Sequence, residues 1–272
     1  MKVAKAAVVT GAAGGIGSAL CEQLLQEGYT VWALDYNQKA LEALGDSLAK
    51  FNRILKTRAI DITVESQIRE VIETIASESH QISIWVNNAG VSGIGHFTDA
   101  STETLRRIVD VNLTAVITST RLILEKMEFQ GSGVIVNIAS VAGHLASPYL
   151  AAYASTKHGV VGFTRSLEIE LQLKTSGVRT LLVSPGFVET QMVTEAGKFS
   201  FPEWLSFCLA TPQAVARAIV AGIRQEKREI FPSWNGKMLL ALNKMVPGMS
   251  RRGSKLLVSK SLKDYFLNRF SA

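Results

Sequence analysis

The 272-residue chain contains only two cysteines, four histidines and six prolines, and each scarcity closes off a class of protein. Cys21 and Cys208 stand far apart in apolar helical patterns, which argues against a disulfide framework and fits a reducing, cytoplasmic setting. His80, His96, His144 and His158 keep no ligand spacing with one another or with cysteine, so no metal site is expected. The chain shows no apolar run long enough to cross a bilayer, and no charged leader followed by a short apolar stretch, so neither a span nor an export signal is read from it. Low-complexity tracts and long linkers are missing too.

Charge of one sign is scarce except at one end. The net charge is +6, yet from Arg224 onward there are eleven Lys/Arg against three Asp/Glu, so the basicity belongs to the tail. It is not interleaved with aromatics or set in a recognition motif, which argues against a nucleic-acid partner.

What the chain has is apolar bulk and regular alternation. With 47% hydrophobic residues it can bury a sizeable core as one domain. Residues 6–10, 30–35, 54–61, 82–87, 133–140 and 178–184 read as strands, each followed by a helical pattern, and 229–231 reads as a short edge strand. Strands this apolar are covered on both faces, and strand–helix alternation with right-handed crossovers gives an α/β fold with a doubly wound parallel sheet. Ligands then settle beyond the carboxyl ends of the strands, so candidate site residues should gather there.

They do. Thr10-Gly11-Ala12-Ala13-Gly14-Gly15-Ile16-Gly17 stands between the first strand and the first helix. Gly11 permits a tight turn, Gly15 lets backbone approach a pyrophosphate, and Gly17 lets the helix pack closely, with its N-terminus facing the anion. Asp35 ends the second strand, where a carboxylate accepts from both ribose hydroxyls and repels a 2′-phosphate; no Lys or Arg follows at Tyr36 or Asn37. The charge logic favours NAD over NADP, and the competing role for Asp35 is a helix cap near Gln38. Asp61-Ile62 and Asn87-Asn88-Ala89-Gly90 end the third and fourth strands, where a cap and a turn are the structural alternatives.

Further along, Ser140 ends the fifth long strand, and Tyr153 and Lys157 lie one helical turn apart on one face. An unperturbed phenol, with a pKa of about 10, is a poor base at neutral pH, and an adjacent ammonium is expected to lower it.

Together these residues resemble the short-chain dehydrogenase/reductase family in its compact NAD(P)-dependent form, over residues 5 to about 231. The glycine turn from Thr10 to Gly17, Asp61, Asn87 to Gly90, Ser140 and the Tyr153-x-x-x-Lys157 pair all match in order. The resemblance implies a Rossmann fold, with residues 1–232 as the dinucleotide-binding and catalytic domain and 233–272 as a basic amphipathic helical extension. It implies hydride exchange between nicotinamide and a substrate alcohol or ketone, with proton transfer by Tyr153. Lys157 would tune the phenol and bind the nicotinamide ribose, Ser140 would donate to the substrate oxygen, and Asn112 would complete a catalytic set by linking the lysine to solvent. Asp61 with Ile62 would meet the adenine, Asn88, Ala89 and Gly90 would line the cofactor groove, and Pro185, Gly186, Val188 and Thr190 would hold the nicotinamide carboxamide.

In this family the segment corresponding to 187–211 covers the substrate. Here it is rich in apolar residues, including Phe187 and Met192, and with Leu150 near the same pocket it fits a lipophilic secondary alcohol or ketone of steroid, retinoid or acyl type. His144 is expected to be a loop or wall residue. Related enzymes associate through helices corresponding to 102–130 and 149–174, implying a homodimer or homotetramer. The extension carries an apolar face through Met238, Leu239, Leu242, Met245 and Val246, a Pro247-Gly248 break, and a second basic amphipathic pattern. A substrate cap, a subunit contact, a peripheral membrane contact and a disordered tail are its readings. The rival functions are an NADP-dependent reductase and a non-catalytic dinucleotide-binding partner protein.

Overall fold

A computed structural model of the chain describes residues 4–51, 54–78, 80–189 and 209–245. Seven strands form one parallel sheet: β1 (Ala4–Thr10), β2 (Thr30–Asp35), β3 (Leu55–Ala59), β4 (His80–Asn87), β5 (Gly133–Ile138), β6 (Val178–Val183) and β7 (Glu229–Ile230). Their spatial order is β3-β2-β1-β4-β5-β6-β7, so the winding reverses between β1 and β4. Crossovers with adjacent carboxyl ends diverge at that point and leave a crevice above Thr10 and Asn87.

The helices follow from apolar spacing and local caps. They are α1 (Gly15–Gln26), α2 (Gln38–Ser47), α3 (Glu65–Ser77), α4 (Thr102–Val109), α5 (Ala115–Gln130), α6 (Ala151–Leu173), α7 (Pro212–Arg224) and α8 (Trp234–Met245). Asn37 starts α2 by accepting from Ala40 N at 3.1 Å, and Ser101 and Thr211 start α4 and α7 in the same way. Alternate residues of each strand feed opposite layers. In β1, Ala7 and Val9 pack with Leu20, Leu24 of α1 and Val215, Ile219 of α7, whereas Ala6 and Val8 pack with Ile68, Val71 of α3 and Ile123, Met127 of α5. This two-sided burial makes the strands read as continuous apolar runs.

Two expectations change. β3 is an edge strand, Leu-Lys-Thr-Arg-Ala, and lies half exposed instead of covered on both faces, because no strand pairs beyond it among the described residues. The long helix expected over 102–130 is interrupted by a π-helical turn at Asp110–Thr114. The amide of Asn112 explains it: its Oδ1 accepts from Val91 N and its Nδ2 donates to Val91 O, both at 2.8 Å, drawing the helix against the loop after β4. One wide turn absorbs that pull, and such turns recur at functional sites.

Candidate active site

The glycine turn is built by backbone, then stapled from β4. Gly11 has φ +62°, a left-handed conformation that favours glycine. At Gly17 a β-carbon would lie 2.2 Å from Gly11 O and 2.8 Å from Ala12 Cα, so α1 approaches the turn as closely as glycine permits. Thr10 Oγ1 donates to Val86 O at 3.1 Å and accepts from Asn88 N and Ala89 N at 3.0 and 3.1 Å. Asn88 Nδ2 returns to Thr10 O and Gly11 O, each at 3.0 Å. Asn88 thus ties the reversal point of the sheet together. Gly15, Ile16 and Gly17 open α1, whose N-cap Gly14 supplies no side chain to occupy the helix end, and Ile16 anchors it against the core. A cradle of this kind, narrow enough to exclude a methyl group and presenting a helix N-terminus, fits a pyrophosphate.

Asp35 is buried at the end of β2. Its Oδ2 accepts from Ala13 N and its Oδ1 from Asn37 N, both at 3.1 Å. Because Asn37 caps α2, the capping alternative for Asp35 fails; the carboxylate faces the glycine turn and places negative charge beside it. Asp61 is no helix cap either, since Val64 precedes α3. It closes a turn by accepting from Thr63 N and Oγ1 at 2.9 and 2.7 Å, and its other oxygen meets Arg107 at 3.3 Å. Burial pushes its carboxyl up, but these hydrogen bonds and the guanidinium prevail and hold it below its ordinary range. Neighbouring Ile62 packs on the α3–α5 layer.

The structure brings Ser140, Tyr153, Lys157 and Asn112 to the same end of the sheet. Ser140 follows β5 and caps the short turn Val141–Gly143, its Oγ accepting from Ala142 N at 3.2 Å. It also acts on the Tyr153 phenol in the direction that favours ionisation. Lys157, one turn along α6, is buried, lies 5.6 Å from the Tyr153 ring centroid and donates to Ile138 O at 2.8 Å. A β-carbon at Gly90 would lie 3.3 Å from Asn112 Oδ1 and 3.8 Å from Lys157 Nζ, which places the turn after β4, the π turn and the lysine side by side.

The electrostatics correct one expectation. Burial pushes the Tyr153 phenol up from 10.0, against a lowering hydrogen bond from Ser140, so the phenol is held as an acid. The same burial brings Lys157 down to about 8, so its ammonium is itself costly here and does not reverse the direction for tyrosine.

Pro185, Gly186 and Phe187 leave β6 over this site, and Pro185 O accepts from Val141 N at 2.9 Å. Val188 is buried in the core and bridges to Ala210, so only its backbone is available to a ligand. Leu150 starts α6 and is half-buried, and Phe187 is exposed. Thr190 and Met192, with most of the expected apolar lid, lie outside the described residues, as do Val246, Pro247, Gly248 and the second basic pattern. No helix among the described residues is long and apolar enough to cross a membrane, and no group of His, Cys, Asp or Glu among them has metal-site geometry.

Several site features had no clear sequence signal. Trp85, Asn87, Ser119, Thr120, Asn137 and Thr164 form a buried polar ladder directly under the Asn88 turn. Asn87 sits in its centre instead of facing the crevice. His144 bonds Ser184 Oγ at 2.9 Å and stacks obliquely on Phe231, so it is a wall residue as expected. Tyr149 holds φ +64°, its carbonyl accepts from Gly95 N at 3.1 Å, and its ring meets His96 edge-on at 5.2 Å, joining the loop after β4 to the start of α6. An aromatic residue in the left-handed region signals a constrained loop, and such strain gathers at sites.

Comparison with known proteins agrees with this geometry. Residues 5–200 match the profile of the short chain dehydrogenase family. Human 15-hydroxyprostaglandin dehydrogenase [NAD(+)] is 35% identical over 199 residues, covering 71% of this chain and 72% of the relative. The 3-oxoacyl-[acyl-carrier-protein] reductase FabG of Thermotoga maritima is 34% identical over 188 residues, 69% and 76% of the two chains. Among solved structures, a short chain dehydrogenase/reductase from Burkholderia phymatum in complex with NAD superposes with a TM-score of 0.79 at 24% identity, covering 89% of this chain and 93% of that one. ElxO with NADP bound gives a TM-score of 0.75 at 26% identity, covering 84% and 95%. The profile spans most of the chain, and the chain belongs to the short-chain dehydrogenase/reductase family of oxidoreductases.

Proposed function

We propose that this protein is an NAD(H)-dependent alcohol dehydrogenase or ketone reductase acting on a secondary alcohol or ketone of a lipophilic molecule, of steroid, retinoid or acyl type. The observation that carries the reading is the gathering of Ser140, Tyr153 and a buried Lys157 at the carboxyl edge of a sheet whose first turn excludes a β-carbon. The dinucleotide would be held by Gly11, Gly15, Ile16 and Gly17 at the pyrophosphate, Asp35 at the ribose, Asp61 and Ile62 at the adenine, and Asn88, Ala89 and Gly90 along the groove. Pro185, Gly186, Val188 and Thr190 would take the carboxamide end. When bound, it supplies the hydride donor or acceptor.

Tyr153 gives its phenolic proton to a substrate carbonyl oxygen during reduction and takes one from a hydroxyl during oxidation. Its raised pKa makes the acid form dominant at neutral pH, so oxidation accelerates as pH rises. Ser140 donates to the same oxygen where negative charge develops, an interaction worth about 3 kcal/mol in a preorganised dry site. Lys157 would bind the nicotinamide ribose beside the phenol. Asn112 fixes the π turn against Val91 and keeps the route from Lys157 to solvent in register. Leu150, Phe187 and Met192 would receive the apolar substrate, and exposed Ile117 and Phe129 on α5 with Ile169 and Leu173 on α6 favour a homo-oligomer.

Asp35 and the NAD named in the human relative support NAD over NADP. A panel of lipophilic ketones and secondary alcohols, followed by NADH absorbance, tests the activity, and Asp35→Ala tests the cofactor. Loss of the carboxylate is expected to narrow the preference for NADH over NADPH by about tenfold or more, since a repulsion of about 1.4 kcal/mol is a tenfold factor. An unchanged preference would remove the role given to Asp35.

A further inference from the structure

Three segments from distant parts of the chain meet behind the expected nicotinamide end of the site. The Gly186 backbone N–H donates to Ser233 Oγ at 2.9 Å, and Ser233 is buried. The Pro185 carbonyl accepts from Val141 N at 2.9 Å, and Val141 directly follows Ser140. Gly236, in the first turn of α8, closes the triangle. A β-carbon there would lie 2.9 Å from Val141 Cγ1, 3.2 Å from Ser233 Oγ and 3.3 Å from Gly186 N. Ser233 and Gly236 stand beyond residue 200, where the matched family profile ends.

We infer that Ser233 is a positioning residue: the start of the C-terminal extension, through Ser233 Oγ on Gly186 N–H and the close seat of Gly236 on Val141, sets the Pro185-Gly186 turn and holds it in register with Ser140. The inference rests on the proposal that this turn receives the nicotinamide end of the dinucleotide. Its physical basis is a part-buried backbone donor satisfied by a buried side chain. Removing the hydroxyl leaves Gly186 N–H without that acceptor in a site where water is displaced, and the turn relaxes toward any carbonyl it can reach. The adenosine end, held by the glycine turn and Asp35 on the other side of the crevice, does not share these contacts.

The expected pattern is therefore selective. Ser233→Ala should weaken NADH binding about tenfold, the equivalent of one lost hydrogen bond, while leaving the affinity for ADP-ribose unchanged. Ser233→Thr, which keeps the acceptor oxygen, should restore most of the NADH affinity. Gly236→Ala, which pushes on Val141 and Gly186 from the α8 side, should reproduce the selective loss.

The experiment is titration of the full-length wild type and the three variants with NADH and with ADP-ribose by calorimetry, alongside thermal unfolding. Selective loss of NADH affinity in Ser233→Ala and Gly236→Ala, with recovery in Ser233→Thr, supports the inference. Equal loss of both ligands with a large drop in melting temperature makes Ser233 merely structural and overturns it, as does unchanged affinity for both. A wild type that binds neither ligand removes the dinucleotide reading itself, and that result is distinguishable because it appears before any substitution is made.

Discussion

Replacing Asn87 by leucine removes a hub of the polar ladder while keeping the number and branching of its side-chain heavy atoms. Asn87 Nδ2 donates to Thr120 Oγ1 at 3.0 Å and Asn137 Oδ1 at 2.8 Å, while Oδ1 accepts from Trp85 Nε1 at 2.9 Å and Ser119 Oγ at 2.7 Å. The two hydroxyls have a retreat: Ser119 Oγ already shares its proton with Val116 O at 3.2 Å, and a threonine hydroxyl on a helix rotates toward a preceding carbonyl. Trp85 Nε1–H and Asn137 Oδ1 have fixed geometry and no such freedom. Each orphaned buried group costs about 1–3 kcal/mol, so the substitution should destabilise the fold by about 4 kcal/mol. At roughly 2–4 °C per kcal/mol for a chain of this size class, the melting temperature should fall by about 10 °C. Urea unfolding and calorimetry measure both. A loss below about 1 kcal/mol would refute the reasoning, because it would mean that water or a repacked neighbour satisfies both groups.

Gly17→Ala should abolish measurable NADH binding, because a β-carbon 2.2 Å from Gly11 O forces the glycine turn and α1 apart; binding titration checks it, and affinity within about threefold of wild type would be contrary. His144 carries a pH signature. Burial lowers its pKa below 6.5, with Glu229 at 3.9 Å raising it and Arg165 and His158 lowering it further, so its neutral form is the one the fold favours. Its contribution to stability is therefore complete above the unfolded pKa of about 6.5 and is lost as pH falls below that value. The urea midpoint of wild type should drop more between pH 7.5 and 5.5, chosen as about one unit either side of that pKa, than that of His144→Gln. Parallel curves would count against it.

The sequence was informative where chemistry is local. Gly11 and Gly17 announce a turn that side chains cannot enter, β-branched runs such as the one ending at Thr10 announce buried strands, and Tyr153 and Lys157 share a face because a helix repeats every 3.6 residues. Partners that meet only through tertiary packing left little trace. The π turn at Asp110–Thr114 depends on Asn112 finding both backbone groups of Val91, twenty-one residues away. Asn87 reads in sequence only as the first residue of the turn ending β4, yet the pleat points it inward to Asn137 across β4 and β5, which pair at that register. The raised phenol of Tyr153 was missed for an energetic reason: a neighbouring ammonium acts against burial, and burial of both groups is invisible in a four-residue spacing. Asp35 was read for its charge, but its bond to Ala13 N, which joins it to the glycine turn, needed the folded chain.

The role of Tyr153 as the proton donor and acceptor is tested most directly by Tyr153→Phe, assayed by NADH-linked turnover with each ketone and alcohol that the wild type converts. The ring and its packing remain, so NADH affinity should be retained while turnover falls by about 100- to 10,000-fold. Wild-type turnover in the phenylalanine variant would show that the phenol does not move the proton, and the assignment of the Ser140, Tyr153 and Lys157 site would fall with it.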